Sequence, residues 1–211
     1  MTSSTSASTS LFTVGHSNLD LADFLVVLKS HGVGIVCDVR SRPASFRFPQ
    51  FNREPLEVCL ASAGIKYEFM GESLGGRPSD PRAYHADGLV NYEERRKAAD
   101  FRAAVDHTLK LSCSWNTALM CAEEDPLQCH RFLMICPALL EHGVSPSHIR
   151  RGGDLESQRE AEDRLLKLND LSAFDSGSLF AFERDAALKD ALRRQAREFA
   201  FRASAEALEY F

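Results

Sequence analysis

Four short runs of apolar, β-branched or aromatic residues, Leu11–Val14, Ile35–Val39, Lys66–Met70 and Thr117–Ala122, are separated by segments with helical spacing. This alternation constrains the chain more than any other feature. After the first run, Asn18 is placed to cap a helix whose Leu21, Phe24, Leu25 and Leu28 share one face and which Gly32 ends. Pro55 and Gly64 bracket the next helix, and Tyr92–Leu111 carries Phe101, Val105 and Leu109 at helical spacing. Beyond Pro126 the pattern predicts a helix over Gln128–Glu141, a short extended piece near His148–Arg150, and helices over Glu156–Leu168 and Asp185–Glu209. Parallel strands need long crossovers, and right-handed crossovers lay helices on both faces of the sheet. The expected fold is therefore α/β: a mostly parallel sheet sandwiched between helices in a Rossmann-like three-layer arrangement, with a C-terminal helical extension.

Residues 11–170 are expected to form the α/β domain, preceded by a disordered Ser/Thr-rich tail over residues 1–10 and followed by the extension over 171–211. In the last helix Leu188, Leu192, Phe199 and Leu208 accompany Lys189, Arg193, Arg194, Arg197 and Arg202. That amphipathic pattern suits docking on the domain or on a second copy, giving a homodimer. No run approaches the roughly 20 apolar residues of a membrane span, so no membrane contact is expected. Six cysteines and no signal peptide imply reduced thiols and a cytoplasmic setting. Cys37 and Cys59, in apolar surroundings, are expected to fill core space. A net charge of −5 provides no global field for nucleic acid, so such binding needs a local cationic cluster.

In open parallel sheets ligands bind beyond the carboxyl ends of the strands. The residues there are His16 and Ser17 after the first strand, Asp38 and Arg40 after the second, Glu72 after the third, and Cys121 and Glu123 after the fourth. Cys129, His130 and Arg131 fall at the start of the following helix, where free backbone N–H groups favour an anion and lower a thiol pKa. Arg40 and Arg131 suit the binding of an anion, and Asp38 suits orienting an arginine. Glu123, His130 and Cys121 are the candidates for proton transfer or nucleophilic attack. Each has a plainer alternative: Asp38 and Arg40 as a structural ion pair, Glu123 as a helix cap or arginine partner, His130 as a donor to a loop, Cys121 as a buried core residue. Ser41–Asn52 interleaves Arg42 and Arg47 with Phe46, Phe48 and Phe51, a combination suited to phosphate contact and base stacking. Gly71–Val90 is a long glycine-rich connection of the kind that serves function or moves, and its Arg77 and Arg82 extend the same cationic surface.

The strings TVGHS, DVRSRPASFRFPQFN, GIKYEFMGESLGG and LMCAEEDPLQCHR, in this order, resemble the bacterial domain-of-unknown-function 488 family over residues 11 to about 168. The resemblance implies an α/β sandwich with a shared site carried by His16, Ser17, Asp38, Arg40, Cys121, Glu123, Cys129, His130 and Arg131. It brings no reaction with it.

The leading expectation is an enzyme acting on a nucleotide, nucleobase or nucleic acid by hydrolysis or group transfer, with no cofactor required. The alternative from another class is a non-catalytic nucleic-acid-binding module gripping through Arg42 and Arg47. A rhodanese-like sulfur transferase is a third, suggested by Asp-Val-Arg after a strand and Cys121 after a later one, but Glu123, Glu124 and Asp125 replace the expected anion-cradling loop. Cys121, Cys129 and His130, with His16, also offer ligands for zinc or iron. Their spacing matches no C-x-x-C finger, and adjacent Cys and His side chains are expected to diverge on a helix.

Overall fold

The computed structural model describes residues 10–171 and 181–204. Among the described residues six strands form one sheet: β1 (Leu11–Gly15), β2 (Ile35–Asp38), β3 (Lys66–Phe69), β4 (Thr117–Cys121), β5 (Ser147–Ile149) and β6 (Leu155–Ser157), in the order β3-β2-β4-β1-β5-β6. All neighbours are parallel except β5 and β6. The helices α1 (Leu21–Ser30) and α2 (Arg53–Ser62) cover one face, where Phe24, Leu28, Leu56 and Leu60 meet Phe12, Val14, Val36, Ala118 and Met120. On the other face α3 (Gly71–Leu74), α4 (Tyr92–Lys97), α5 (Ala99–Ser112), α6 (Cys136–Glu141), α7 (Gln158–Leu168) and α8 (Ala181–Phe199) surround a core that includes Ile35, Cys37, Leu119, Phe101, Leu133 and Leu165. Alternate residues of β4 thus face different layers: Met120 lies on the α1 and α2 side, Cys121 on the other.

The expected three layers are present, but the strand order differs from the 3-2-1-4-5-6 of dinucleotide-binding folds, since β4 is inserted between β2 and β1. The chain leaves β1 and β2 toward the α1 and α2 face and leaves β4 toward the opposite face. Connections that part to opposite faces leave a crevice between their strands, so crevices open on both flanks of β4.

Local departures from the expected elements have physical causes. The helix expected over Tyr92–Leu111 is two helices, broken at Ala98, whose backbone is extended. Arg95 is buried at the break and donates to Asp100 and to the Ser73 carbonyl. The helix expected over Gln128–Glu141 contains a π-helical stretch, Arg131–Ile135, in which the Cys136 N–H reaches the Arg131 carbonyl. Pro137, having no N–H to return to Leu133, accounts for the widened turn. Glu156 and Ser157, expected to begin a helix, instead join Leu155 in the antiparallel edge strand β6 before α7, which a Ser157–Glu160 capping box opens.

The C-terminal helix does not stand apart. Ala187 and Ala191 belong to the core, with Leu188, Leu192 and Phe199 packed against it. The chain then returns beside the 84–90 segment through Val90 N–H to Phe201 O and Ala203 N–H to Gly88 O, at 3.0 and 2.9 Å. The apolar face expected to meet a second copy is thus covered by its own chain. Leu208 and residues 1–9 of the expected tail lie outside the described residues. Among the described residues no helix is long and apolar enough to cross a membrane.

Candidate functional site

Arg40 is the most constrained group at the strand ends. Its Nε and Nη2 donate to the two carboxylate oxygens of Asp38 at 2.8 and 2.6 Å, and its own backbone N–H adds a third bond to Asp38 at 3.1 Å. Tyr67 donates its hydroxyl to Asp38 Oδ2 at 2.8 Å. The remaining terminal nitrogen, Nη1, lies 3.2 Å from Nε2 of His16. His16 accepts there because its Nδ1 faces the Ser17 carbonyl at 2.9 Å and must carry the proton. Desolvation and then the Arg40 charge lower the His16 pKa to about 4. Asp38 is fully buried, so it acts behind Arg40 and does not touch a ligand.

Arg40 lines a cleft of about 440 Å³ on the β2 flank of β4, together with Arg42, Arg77, Tyr92, Cys121, Glu123, Cys129, His130, Phe199 and Phe201. On the β1 flank a second, shallower depression is lined by His16, Ser17, Arg47, Phe48, Ala122 and Glu123. Ala122 and Glu123, just past the end of β4, are common to both. The site residues expected from the sequence therefore divide: Arg40, Arg42, Cys121, Glu123 and His130 share one cleft, while His16, Ser17 and Arg47 border the other. Glu72 is exposed on α3 and lines neither.

At the base of the main cleft the Cys121 thiol donates to Glu123 Oε2 at 2.9 Å. The Glu123 carboxyl is raised by desolvation and then by Cys121, although the residue as a whole is exposed. His130 Nδ1 lies 3.8 Å from Cys121 Sγ and 3.7 Å from Cys129 Sγ, and Nε2 is 2.9 Å from the Val39 carbonyl. Cys121 is held well below the usual thiol range by a hydrogen bond from Cys129 and by His130, whereas burial and the Cys121 sulfur push Cys129 up. Burial works against the charge of His130, but Cys121 and Glu123 outweigh it and raise its pKa. The expected divergence of Cys129 and His130 does not occur. Cys129 has an extended backbone, φ −133° and ψ 142°, and sits outside the helix, so its sulfur turns back toward the imidazole.

Arg131 does not line the cleft. It is fully buried, and its Nη1 and Nη2 donate to the backbone carbonyls of Glu123 and Glu124 at 2.8 and 2.6 Å. The anion-binding role expected of it is thus replaced by one of holding the loop after β4. Gly15 makes the arrangement possible, because a Cβ there would fall 1.7 Å from the Glu123 carbonyl oxygen and 2.7 Å from Arg131 Nη1. Glu124 is paired with Arg150, and Asp125 with Arg164. These two acids are neutralised in the scaffold, leaving Glu123 as the acidic side chain of the loop that faces the cleft.

The arginine–aromatic loop also divides. Phe51 is fully buried and stacks on His16, with ring centroids 4.2 Å apart, while Phe46 is fully exposed. The sequence does not mark Tyr92, Phe199 or Phe201 as cleft residues, since nothing local shows that α4, the end of α8 and the segment after it arrive at the strand ends. Arg77 was signalled by the glycine-rich connection, and its guanidinium stacks over Phe201 at 4.6 Å. Gly76 brings this segment onto the imidazole: a Cβ there would lie 3.0 Å from the His130 ring.

These features define an α/β protein with a polar cleft at the carboxyl end of its central strand. Residues 20–135 match the family model Domain of unknown function DUF488, and the chain belongs to that family. The match covers β2, β3, β4 and the cysteine–histidine segment, and begins after His16 and Ser17. No curated protein and no solved structure matches the chain.

Proposed function

We propose that the protein is an enzyme acting on a nucleotide, nucleobase or nucleic-acid substrate, by hydrolysis or group transfer, in the cleft between Arg40 and Glu123. The observation that carries this is the guanidinium of Arg40, buried and fixed by Asp38 and His16, on the same cleft as the Glu123 carboxyl, which forms no ion pair with an arginine among the described residues. A preorganised cation of this kind costs little to orient when an anionic group binds. Arg42 and Arg77 add positive charge at the rim, and Tyr92, Phe199 and Phe201 provide apolar wall for a base. In hydrolysis, Glu123 takes a proton from the attacking water and returns it to the leaving group as the bond to that group breaks. Asp38 and His16 position Arg40. The reduced thiols suit the cytoplasm.

The test is a nucleotide and oligonucleotide panel followed by thermal shift and turnover assays on wild type, Glu123→Gln and Arg40→Gln. Glu123→Gln abolishes turnover and retains binding, whereas Arg40→Gln loses binding. Wild-type binding with no turnover of any member of the panel overturns the enzymatic assignment. The second reading, a non-catalytic nucleic-acid module, draws on the exposure of Phe46 beside Arg42 and Arg47. Salt-dependent binding that survives Glu123→Gln and His130→Ala but is lost with Arg42→Ala and Arg47→Ala selects it.

A further inference from the structure

We infer that Cys121, Cys129 and His130 form a binding site for a thiophilic divalent transition metal, with Zn(II) as the ion that fits the donor set. The inference deepens the proposed function and rests on it only for the use made of the ion's open face. Among the described residues these three offer one ligand atom each, and all three atoms lie within 4.8 Å of one another. Bond lengths of about 2.3 Å to sulfur and about 2.0 Å to nitrogen at tetrahedral angles place sulfur and nitrogen roughly 3.6 Å apart. The two sulfur-to-Nδ1 distances are 3.8 and 3.7 Å, so both contract by only a small step on binding.

The second observation is the far side of the imidazole. His130 Nε2 faces the Val39 carbonyl at 2.9 Å, an acceptor only, so that nitrogen carries a proton and Nδ1 is the atom presented to the two sulfurs. Metal-bound histidines are fixed in this way, with the outer N–H held by a carbonyl or carboxylate. The backbone supports the same end. Cys129 is extended and His130 is the first helical residue, a change of conformation that turns two adjacent side chains toward one point.

The chemistry of the donors selects the metal. Two thiols and an imidazole suit zinc or ferrous iron and do not suit magnesium or calcium, which take oxygen. Two thiolates neutralise a divalent charge, which keeps burial of the ion inexpensive. All three residues line the main cleft with Arg40 and Glu123, so three protein ligands leave a fourth position beside the space those two share. Three protein ligands with an open position is the arrangement of catalytic zinc sites, not of closed structural ones.

The experiment uses the full chain, purified without chelator and with any affinity tag removed. Elemental analysis is expected to give about one zinc per chain, with Cys121→Ser, Cys129→Ser and His130→Ala each falling below about a tenth of that, and Cys113→Ser, exposed and outside the cluster, unchanged. Circular dichroism and melting curves show whether each variant is folded. A measurement on wild type needs no substitution: chelator-stripped protein titrated with Co(II) develops a thiolate-to-metal band in the near ultraviolet and intense visible bands of a tetrahedral site, saturating at about one equivalent. Substoichiometric metal after purification, together with a cobalt spectrum lacking the sulfur band, overturns the site. Metal binding is read without substrate, and Arg40→Gln leaves it unchanged. Stoichiometric metal without Arg40-dependent anion binding therefore defeats only the proposed function, and anion binding and turnover without metal defeat only this inference.

Discussion

His16 Nε2 accepts from Arg40 Nη1 at 3.2 Å while the same imidazole lies stacked on the fully buried ring of Phe51. A histidine so placed has no room for a second proton, because protonation would set two buried cations against each other. Its neutral form is part of how Arg40 is held, and the first prediction follows from it.

His148 is a second buried neutral histidine: Thr13 Oγ1 lies 2.8 Å from its Nδ1 and Gln158 Oε1 lies 3.1 Å from its Nε2. Burial, and then Arg131, lower its pKa from 6.5 to about 4, as burial and Arg40 do for His16. Between these values the unfolded chain binds more protons than the folded one, so stability rises with pH. The contribution is complete above pH 6.5 and is lost as the pH falls toward 4. Each histidine is expected to cost about 1.4 kcal/mol per pH unit across that window. Urea unfolding at a series of pH values checks this, with His148→Gln reducing the slope. A flat profile would contradict it.

Replacing Asp38 by Asn leaves the Arg40 guanidinium buried without a counter-charge, since Asp38 is its salt-bridge partner and both side chains are almost wholly enclosed. The expected loss is about 3–5 kcal/mol. Equilibrium denaturation measures it, and a loss near zero would mean that the pair is hydrated in solution.

Gly15→Ala forces the β4 loop outward, because the new methyl overlaps the Glu123 carbonyl that Arg131 holds. Destabilisation of about 3 kcal/mol is expected, together with loss of the activity proposed for the cleft. A variant of wild-type stability and unchanged loop protection in hydrogen exchange would refute the close packing at Gly15.

Phe46→Ala removes a ring that is fully exposed, so stability should change by less than about 0.5 kcal/mol. If single-stranded nucleic acid is the substrate, stacking on Phe46 is expected to contribute about 1–3 kcal/mol to binding. Fluorescence anisotropy with a labelled oligonucleotide separates this from a mononucleotide substrate, whose affinity should not change.

The strand ends were legible because short β-branched runs stop at polar residues, and the carboxyl-end rule then gathers those residues without knowledge of the strand order. That rule could not foresee that β4 lies between β1 and β2, the fact that divides His16, Ser17 and Arg47 from Arg40, Arg42 and Cys121. Arg131 read as a free cation because its true partners, two backbone carbonyls, leave no mark in the sequence. A regular helix through Cys129 and His130 would make them diverge, and nothing in the sequence marks the extended backbone at Cys129 that brings them together. The strand β6 escaped notice because three residues, Leu-Glu-Ser, show no periodicity.

The return of the chain after α8 places Phe199 and Phe201 in the cleft wall, with Arg77 stacked on Phe201. Synthesis runs from the amino end, so every polar group of the site has left the ribosome well before that wall exists. A nascent or truncated chain ending at residue 135, the limit of the family match, carries Arg40, Glu123 and the cysteine–histidine cluster yet has no closed cleft. The proposed use of the cleft is thereby tied to the chain having reached Phe201, past the end of α8.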